Sequence, residues 1–179
     1  MRHCFAVPIK DFALAKSRLR NNHVSEVSEL ARTLATGVIA ELGGDQVTVI
    51  CESAVVSQFA LELGCSVAFS KSSGLNESVQ GFYDSVTEMY ERITVVHADL
   101  ANPKGLREYR PSREVGIVTD QQRLGTNVLS IPTGARFQFQ FGENSLRLHE
   151  LEAARRGLDC EVLDQGPWTR DVDLPEDLP

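Results

Sequence analysis

The chain has 179 residues, with 18 Lys and Arg against 25 Asp and Glu, a formal net charge of −7, and 42% hydrophobic and 24% charged residues. Those proportions exclude a disordered or low-complexity chain, and the length suits one hydrophobic core. The acidic balance argues against broad nucleic-acid binding, whose affinity comes from Lys and Arg, and no apolar stretch approaches the roughly 18 residues needed to cross a bilayer.

The opening Met1-Arg2-His3-Cys4-Phe5-Ala6-Val7-Pro8 is too short and interrupted for a secretory signal, so a cytoplasmic protein with one domain over residues 1–179 is expected. Phe5-Ala6-Val7-Pro8 predicts a first strand, which runs into a stretch bearing Lys10, Lys16, Arg18 and Arg20. Cations at a strand's carboxyl end suit a polyphosphate, whose charge needs several donors and whose leaving group needs neutralising. A solvated basic face accounts for them equally well, because the Gly-rich cradle of a P-loop is absent. Next, Val27, Leu30, Leu34, Val38 and Leu42 recur at three- and four-residue steps and predict a helix stopped by Gly43-Gly44. Val47 to Cys51 predicts a second strand, and Val55, Val56, Phe59, Ala60 and Leu63 a helix ending at Gly64. A further helical pattern links Val79, Phe82, Tyr83, Val86 and Tyr90, and Ile93 to Ala98 predicts a third strand.

Asp99 closes that strand. A carboxylate there can hold a hard divalent cation shared with phosphate oxygens, or can simply cap a turn. Glu114 to Val118 and Val128 to Ile131 predict more strands, followed by a weak Phe137-Gln138-Phe139 alternation. A helix is expected from Ser145 to Arg156, closed by Gly157, and a short strand at Cys160 to Leu163. Gly125-Thr126-Asn127 and Phe141-Gly142-Glu143-Asn144-Ser145 each combine a glycine, whose amide can approach an anion, with a hydroxyl that can donate to it. Ser145 equally suits a helix N-cap, and His149 faces either that anion or the helix surface. Asp171 and Asp173, two apart on extended chain, could complete a cation site or form part of a solvated tail. Cys4, Cys51, Cys65 and Cys160 have neither C-x-x-C nor zinc-finger spacing and read as free thiols. Alternating strands and helices predict a three-layer α/β sandwich around a mostly parallel Rossmann-like sheet, with ligands at the carboxyl ends of its strands.

Taken together, P-x-K-x5-A-K-S-R-L (Pro8 to Leu19), G-L-N (Gly74 to Asn76), A-D-L (Ala98 to Leu100), G-T-N-x-L (Gly125 to Leu129), F-G-x-x-S-x3-H (Phe141 to His149) and D-x-D-x-P-x-D-L (Asp171 to Leu178) resemble the 2-phospho-L-lactate guanylyltransferase family, in order and across nearly the whole chain. The resemblance implies a nucleotidyltransferase fold of the nucleotide-diphospho-sugar transferase kind. It also implies transfer of GMP from GTP to 2-phospho-L-lactate, phosphoenolpyruvate or 3-phosphoglycerate, with release of pyrophosphate, in coenzyme F420 biosynthesis. Carried over, Lys10, Lys16 and Arg18 match the triphosphate-binding loop, with Asp99 the fourth catalytic residue. Gly74, Leu75 and Asn76 match a segment near the nucleotide, and Thr126, Gly142 and Ser145 match positions that hold the acid. Asp99 with Asp171 or Asp173 matches the carboxylates for Mg²⁺. After Asp99 the family's Leu-Pro is Leu100-Ala101, with the proline delayed to Pro103. The partners expected are GTP and a small phosphorylated acid, not nucleic acid or membrane, and a homodimer is left open. Transfer of another nucleotide or to another acceptor, and a catalytically silent GTP-binding homologue, are the alternatives.

Overall fold

A computed structural model describes residues 2–13, 27–72 and 74–172. Its strands are β1 (His3–Pro8), β2 (Val47–Cys51), β3 (Ser66–Phe69), β4 (Arg92–Val96), β5 (Val115–Thr119), β6 (Thr126–Pro132) and β7 (Cys160–Leu163), and its helices are α1 (Val27–Leu42), α2 (Ala54–Glu62), α3 (Leu75–Ser85) and α4 (Ser145–Arg156). They form one seven-stranded sheet in the order β3-β2-β1-β4-β6-β5-β7. Strand β6 runs antiparallel to both neighbours, whereas the other pairings are parallel.

The expected three layers follow from which side chains each sheet face buries. Phe5 and Val7 of β1 meet Ala35, Val38, Ile39 and Leu42 of α1 and Val56, Phe59 and Ala60 of α2 on one face. Cys4 and Ala6 point the other way, toward Val79, Phe82 and Tyr83 of α3 and Leu146 and Ala153 of α4. Alternation along β1 thus serves two cores, which is why its neighbours read as unbroken β-branched runs. All four cysteines are free, with Cys4, Cys51 and Cys65 buried. None of the described helices is long and apolar enough to cross a membrane.

Two elements depart from the pattern in the sequence. Strand β3 was not expected: it lies at the sheet edge, where its four residues are only half-buried or exposed and its apolar run is just Val67-Ala68-Phe69. Helix α3 stops at Ser85, before the expected Tyr90, and Val86 to Met89 form a turn, with Tyr90 N–H donating to Val86 O at 3.1 Å.

Gly116 of β5 is a point of close approach: a Cβ there would run into the Tyr109 hydroxyl and Pro111 Cβ. Gly116→Ala is therefore expected to lower the unfolding free energy by about 1–3 kcal/mol. Gly134→Ala, with nothing within 4 Å, should leave the urea midpoint unchanged; equal midpoints for the two variants would contradict the crowding at Gly116.

Candidate active site

From β1 the chain moves outward to β2 and β3, then returns to the other side of β1 as β4. The loops leaving β1 and β4 therefore diverge at the sheet's carboxyl edge and open a crevice between them, the position where α/β sheets bind ligands. Lys10, exposed, follows β1 on one lip, and Asp99, half-buried, follows β4 on the other. Lys16, Arg18 and Asp173 lie outside the described residues.

The loop after β4 is fixed by the far end of the chain. Val172 N–H donates to Asp99 O at 3.0 Å, Ala101 N–H donates to Arg170 O at 2.9 Å, and Leu100 and Asp171 form an antiparallel bridge. Two acidic stretches some seventy residues apart thereby meet. In such a pair Asp171 stands beside Leu100 and Asp99 beside Val172, so the two carboxylates leave the ladder on opposite sides. Leu100 and Val172 are buried at 1% and 0% exposure and anchor the crossing. The delayed proline fits this geometry, since Ala101 supplies an amide to the ladder that proline could not. Among the described residues no three His, Cys, Asp or Glu side chains form a metal-binding group. Carboxylates here are nonetheless the donor type a hard cation takes, with phosphate oxygens as remaining ligands.

A second group of expected residues converges on the extended segment 137–141. Asn76, in the first turn of α3, clamps Phe141 from both sides: its Oδ1 accepts Phe141 N–H at 2.7 Å and its Nδ2 donates to Phe141 O at 3.1 Å. One turn on, Gln80 accepts from Phe139 N–H at 3.3 Å and donates to Phe137 O at 3.2 Å. The intervening amides turn to α4, where Gln138 N–H donates to Glu152 at 3.1 Å and Gln140 N–H to His149 Nε2 at 3.0 Å. The Phe137-Gln138-Phe139 alternation is thus a strand-like segment laddered by side chains, with Phe137, Phe139 and Phe141 buried. Gly74 flanks α3, and a Cβ there would collide with the Glu77 carboxylate folded back over it; Leu75 packs on the core beneath. A groove of about 580 Å³ runs along this flank from Asn76 and Glu77 to Thr87 and Thr133.

Thr126, Gly142 and Ser145 surround the start of α4. Thr126 is 2% exposed and its Oγ1 lies 3.0 Å from His149 Nδ1. Because His149 Nε2 already accepts from Gln140, Nδ1 carries the ring proton and donates it to Thr126. The imidazole therefore neither faces an anion nor lies on the helix surface, the two options in the sequence, but is fully buried. Ser145, 1% exposed, is the first helical residue and not the cap, which is Asn144 at φ 58°. Its amide donates to Gly142 O at 3.2 Å and that of Leu146 to Leu124 O at 3.1 Å, so the chain itself takes up two amides of the helix start. Gly142, at φ 121° and with nothing within 4 Å of its would-be Cβ, is the exposed member of the three. The anion reached by the Gly125 amide is the chain's own Asp120 carboxylate, at 3.0 Å, and Leu124 N–H binds the same group at 2.8 Å. Asn127 donates to Trp168 O at 3.1 Å and so helps seat the segment that leads to Asp171.

Glu152 was not singled out in the sequence, although Arg155 and Arg156, three and four residues on, mark a helical ion-pair pattern. Burial raises its pKa, but hydrogen bonds from Arg155, Arg156 and the Gln138 amide outweigh burial and hold it at about 2.

Residues 3–179 match the protein family described as "Guanylyl transferase CofC like". A phosphoenolpyruvate guanylyltransferase of Roseiflexus castenholzii is 29% identical over 179 residues, spanning 96% of this chain and 84% of that protein. A 2-phospho-L-lactate guanylyltransferase of Methanothermobacter thermautotrophicus is 27% identical, spanning 99% and 83%. A 3-phospho-D-glycerate guanylyltransferase of Colwellia psychrerythraea is 26% identical, spanning 99% and 90%. In structure, the chain is similar to a nucleotide-diphospho-sugar transferase candidate from Desulfovibrio desulfuricans G20 (TM-score 0.72, 14% identity, 90% of this chain and 79% of that one). It is also similar to a nucleotidyl transferase from Methanothermobacter thermautotrophicus (TM-score 0.67, 10% identity, 98% and 94%). The fold expected from the sequence is the one these structures share.

Burial, reinforced by the nearby charge of His97, lowers the His149 pKa from 6.5 to about 3, and burial with Arg110 and Arg92 lowers that of His3 to about 4. The folded chain then binds fewer protons than the unfolded one below pH 6.5, so stability is fully present above that pH and falls as the solution is acidified toward those values. At pH 5 His149 accounts for a loss on the order of 2 kcal/mol. Urea titrations at pH 7, 6 and 5 should show this decline, and His149→Gln should remove about one proton from the slope whatever it costs at pH 7. An unaltered slope would mean that the imidazole is not held neutral.

Proposed function

The chain belongs to the family of CofC-like guanylyl transferases, and we propose that it transfers GMP from GTP to a phosphorylated three-carbon acid. The acid belongs to the set named for its relatives: phosphoenolpyruvate, 2-phospho-L-lactate and 3-phospho-D-glycerate. A phosphate oxygen of the acceptor attacks the α-phosphorus of GTP, the bond from that phosphorus to the bridging oxygen breaks, and pyrophosphate leaves. The product, an activated diphosphodiester, is of the kind needed in coenzyme F420 biosynthesis.

The observation that most supports this reading is the ladder between residues 99–101 and 170–172, which fixes the loop that carries Asp99 at the same sheet edge as Lys10. Lys10 is suited to neutralise charge on the leaving diphosphate, a role that Lys16 and Arg18 share in this proposal. In this reading Asp99 would help hold magnesium, whose chemistry when bound is to offset phosphate charge, whereas Asp171, on the opposite side of the ladder, points away from that ion. Thr126, Ser145, Asn76, Leu75 and Gly74 act in this reading through the loop they brace, and Gly142 is the point where that loop meets solvent and the acid. No general base is required, because an acceptor phosphate with a second pKa near 6 is already mostly ionised at neutral pH. Holding its oxygen in line with the α-phosphorus supplies much of the rate.

Pyrophosphate is expected only when GTP, Mg²⁺ and one of the three acids are all present, with CTP and ATP failing to replace GTP. Asp99→Asn should lower kcat by a factor of at least about 100 while the thermal midpoint stays close to the parent's. Tight GTP binding without pyrophosphate from any of the acids would instead make the chain a silent binder.

A further inference from the structure

The start of the loop after β1 is held by contacts that the transfer reaction does not by itself require. Asp11 Oδ1 accepts the Ala13 N–H at 2.8 Å, closing a side-chain turn over residues 11–13. Its Oδ2 accepts from Ser53 Oγ at 2.5 Å. Ser53 occupies the N-cap of α2, yet its hydroxyl makes no cap bond to that helix. A serine there ordinarily gives the helix roughly 1 kcal/mol by accepting from its first amides; this one spends its hydroxyl on Asp11.

The neighbouring side chain is fastened as firmly. Phe12 is 4% exposed and meets the Phe59 ring of α2 edge-on at 5.1 Å, while the Arg32 guanidinium of α1 lies 4.8 Å from the Phe12 ring centroid and 5.0 Å from that of Phe59. Ser28 of α1 donates to Phe12 O at 3.0 Å. Residues 11–13 are therefore pinned to both helices of one layer, and Lys10 is the exposed residue between this anchor and β1. The Ser53 and Ala13 hydrogen bonds lower the Asp11 pKa, so the anchor works in its charged form.

We propose that Asp11 is a positioning residue for nucleotide binding: clasped by Ser53 and by its own turn, it fixes the backbone of residues 10–13 so that Lys10 stands at the crevice ready for the triphosphate. The assignment rests on the GTP-dependent reading above. A carboxylate next to a phosphate site would weaken binding through its charge, so its presence here requires a compensating role, and both of its oxygens are turned to the chain's own donors.

The test compares Asp11→Ala, Asp11→Asn and Ser53→Ala, with GTP affinity read by equilibrium binding without acceptor and by steady-state kinetics. Asp11→Ala should raise Kd and KM for GTP about tenfold, the loss of one to two charge-assisted hydrogen bonds, with kcat and the acceptor KM within about twofold. Asn keeps the acceptor for Ala13 and can donate to the Ser53 hydroxyl, so Asp11→Asn should recover most of the affinity. Ser53→Ala should fall between, and the double variant should be no worse than Asp11→Ala alone. GTP affinity unchanged or tightened in Asp11→Ala would overturn the proposal, as would Asp11→Asn being as weak as the alanine variant. If Asp11→Ala does not fold, Ser53→Ala and Asp11→Asn carry the same comparison. A parent chain that binds GTP yet releases no pyrophosphate would sink the transfer reaction while the affinity ratios still decide the role of Asp11. A parent that binds no GTP would remove both.

Discussion

His149 has no exposed surface, and each of its ring nitrogens has one bond to make: Nδ1 donates to Thr126 on β6 and Nε2 accepts from the Gln140 amide. Only the neutral imidazole satisfies both, because a proton on the buried Nε2 would face another donor, the Gln140 N–H. Through that one ring the antiparallel strand, α4 and the segment 137–141 are held in register. The segment has no strand neighbour, so each of its backbone N–H groups must be satisfied by a side chain, and α3 and α4 divide them by parity. Loss of the imidazole would orphan the Gln140 N–H and deprive the Thr126 hydroxyl oxygen of its donor, on two elements at once.

The same network changes how the motifs are understood. G-L-N, G-T-N-x-L and F-G-x-x-S-x3-H look like separate ligand-binding signatures in the sequence, yet Asn76, Phe141, His149 and Thr126 are linked to one another mostly through hydrogen bonds within the protein. Their chemistry is directed inward, and the loop at Gly142 is what they present outward. The groups assigned to the crevice in the proposed reaction are of another kind: Lys10 after β1 and Asp99 after β4, each next to a clasp from a distant residue, Ser53 on Asp11 in one case and Val172 on Asp99 in the other. Scaffold and chemistry thus occupy different segments of a nearly continuous set of motifs.

How much of this could be read in advance follows from range. Strands β1, β2, β4, β5 and β6 were legible because burial on two faces leaves a short apolar run, rich in β-branched residues in β2 and β4. The C-terminal end of helix α4 was legible, because Gly157 at φ 70° ends it by a local rule. Strand β3 was not, since its apolar part is only Val67-Ala68-Phe69 and lies at the sheet edge. The partner of the Gly125 amide was misread for a related reason. A glycine amide that can approach an anion is visible in sequence, but that the anion is Asp120, five residues earlier, depends on how the turn between β5 and β6 closes. The meeting of Asp99 and Asp171 stretches could be anticipated from resemblance, but the opposite sides on which they leave the ladder could not, because parity across a pair is a property of register.

An acidic chain that handles a nucleoside triphosphate has to concentrate its cations locally, since beyond a Debye length of about 8 Å the net charge is screened. Two of the histidines, His3 and His149, have no part in that task. His3 lies at the amino end of β1, away from the crevice, with its pKa lowered to about 4, and His149 is held near 3 with both nitrogens bonded. Neither can take a proton at neutral pH. A hydroxyl acceptor would require such a base, whereas a phosphate acceptor does not, because water has already removed its proton. The use of His149 as structural cement is therefore consistent with the class of acceptor proposed: where the nucleophile arrives ionised, the imidazole is free to serve the fold.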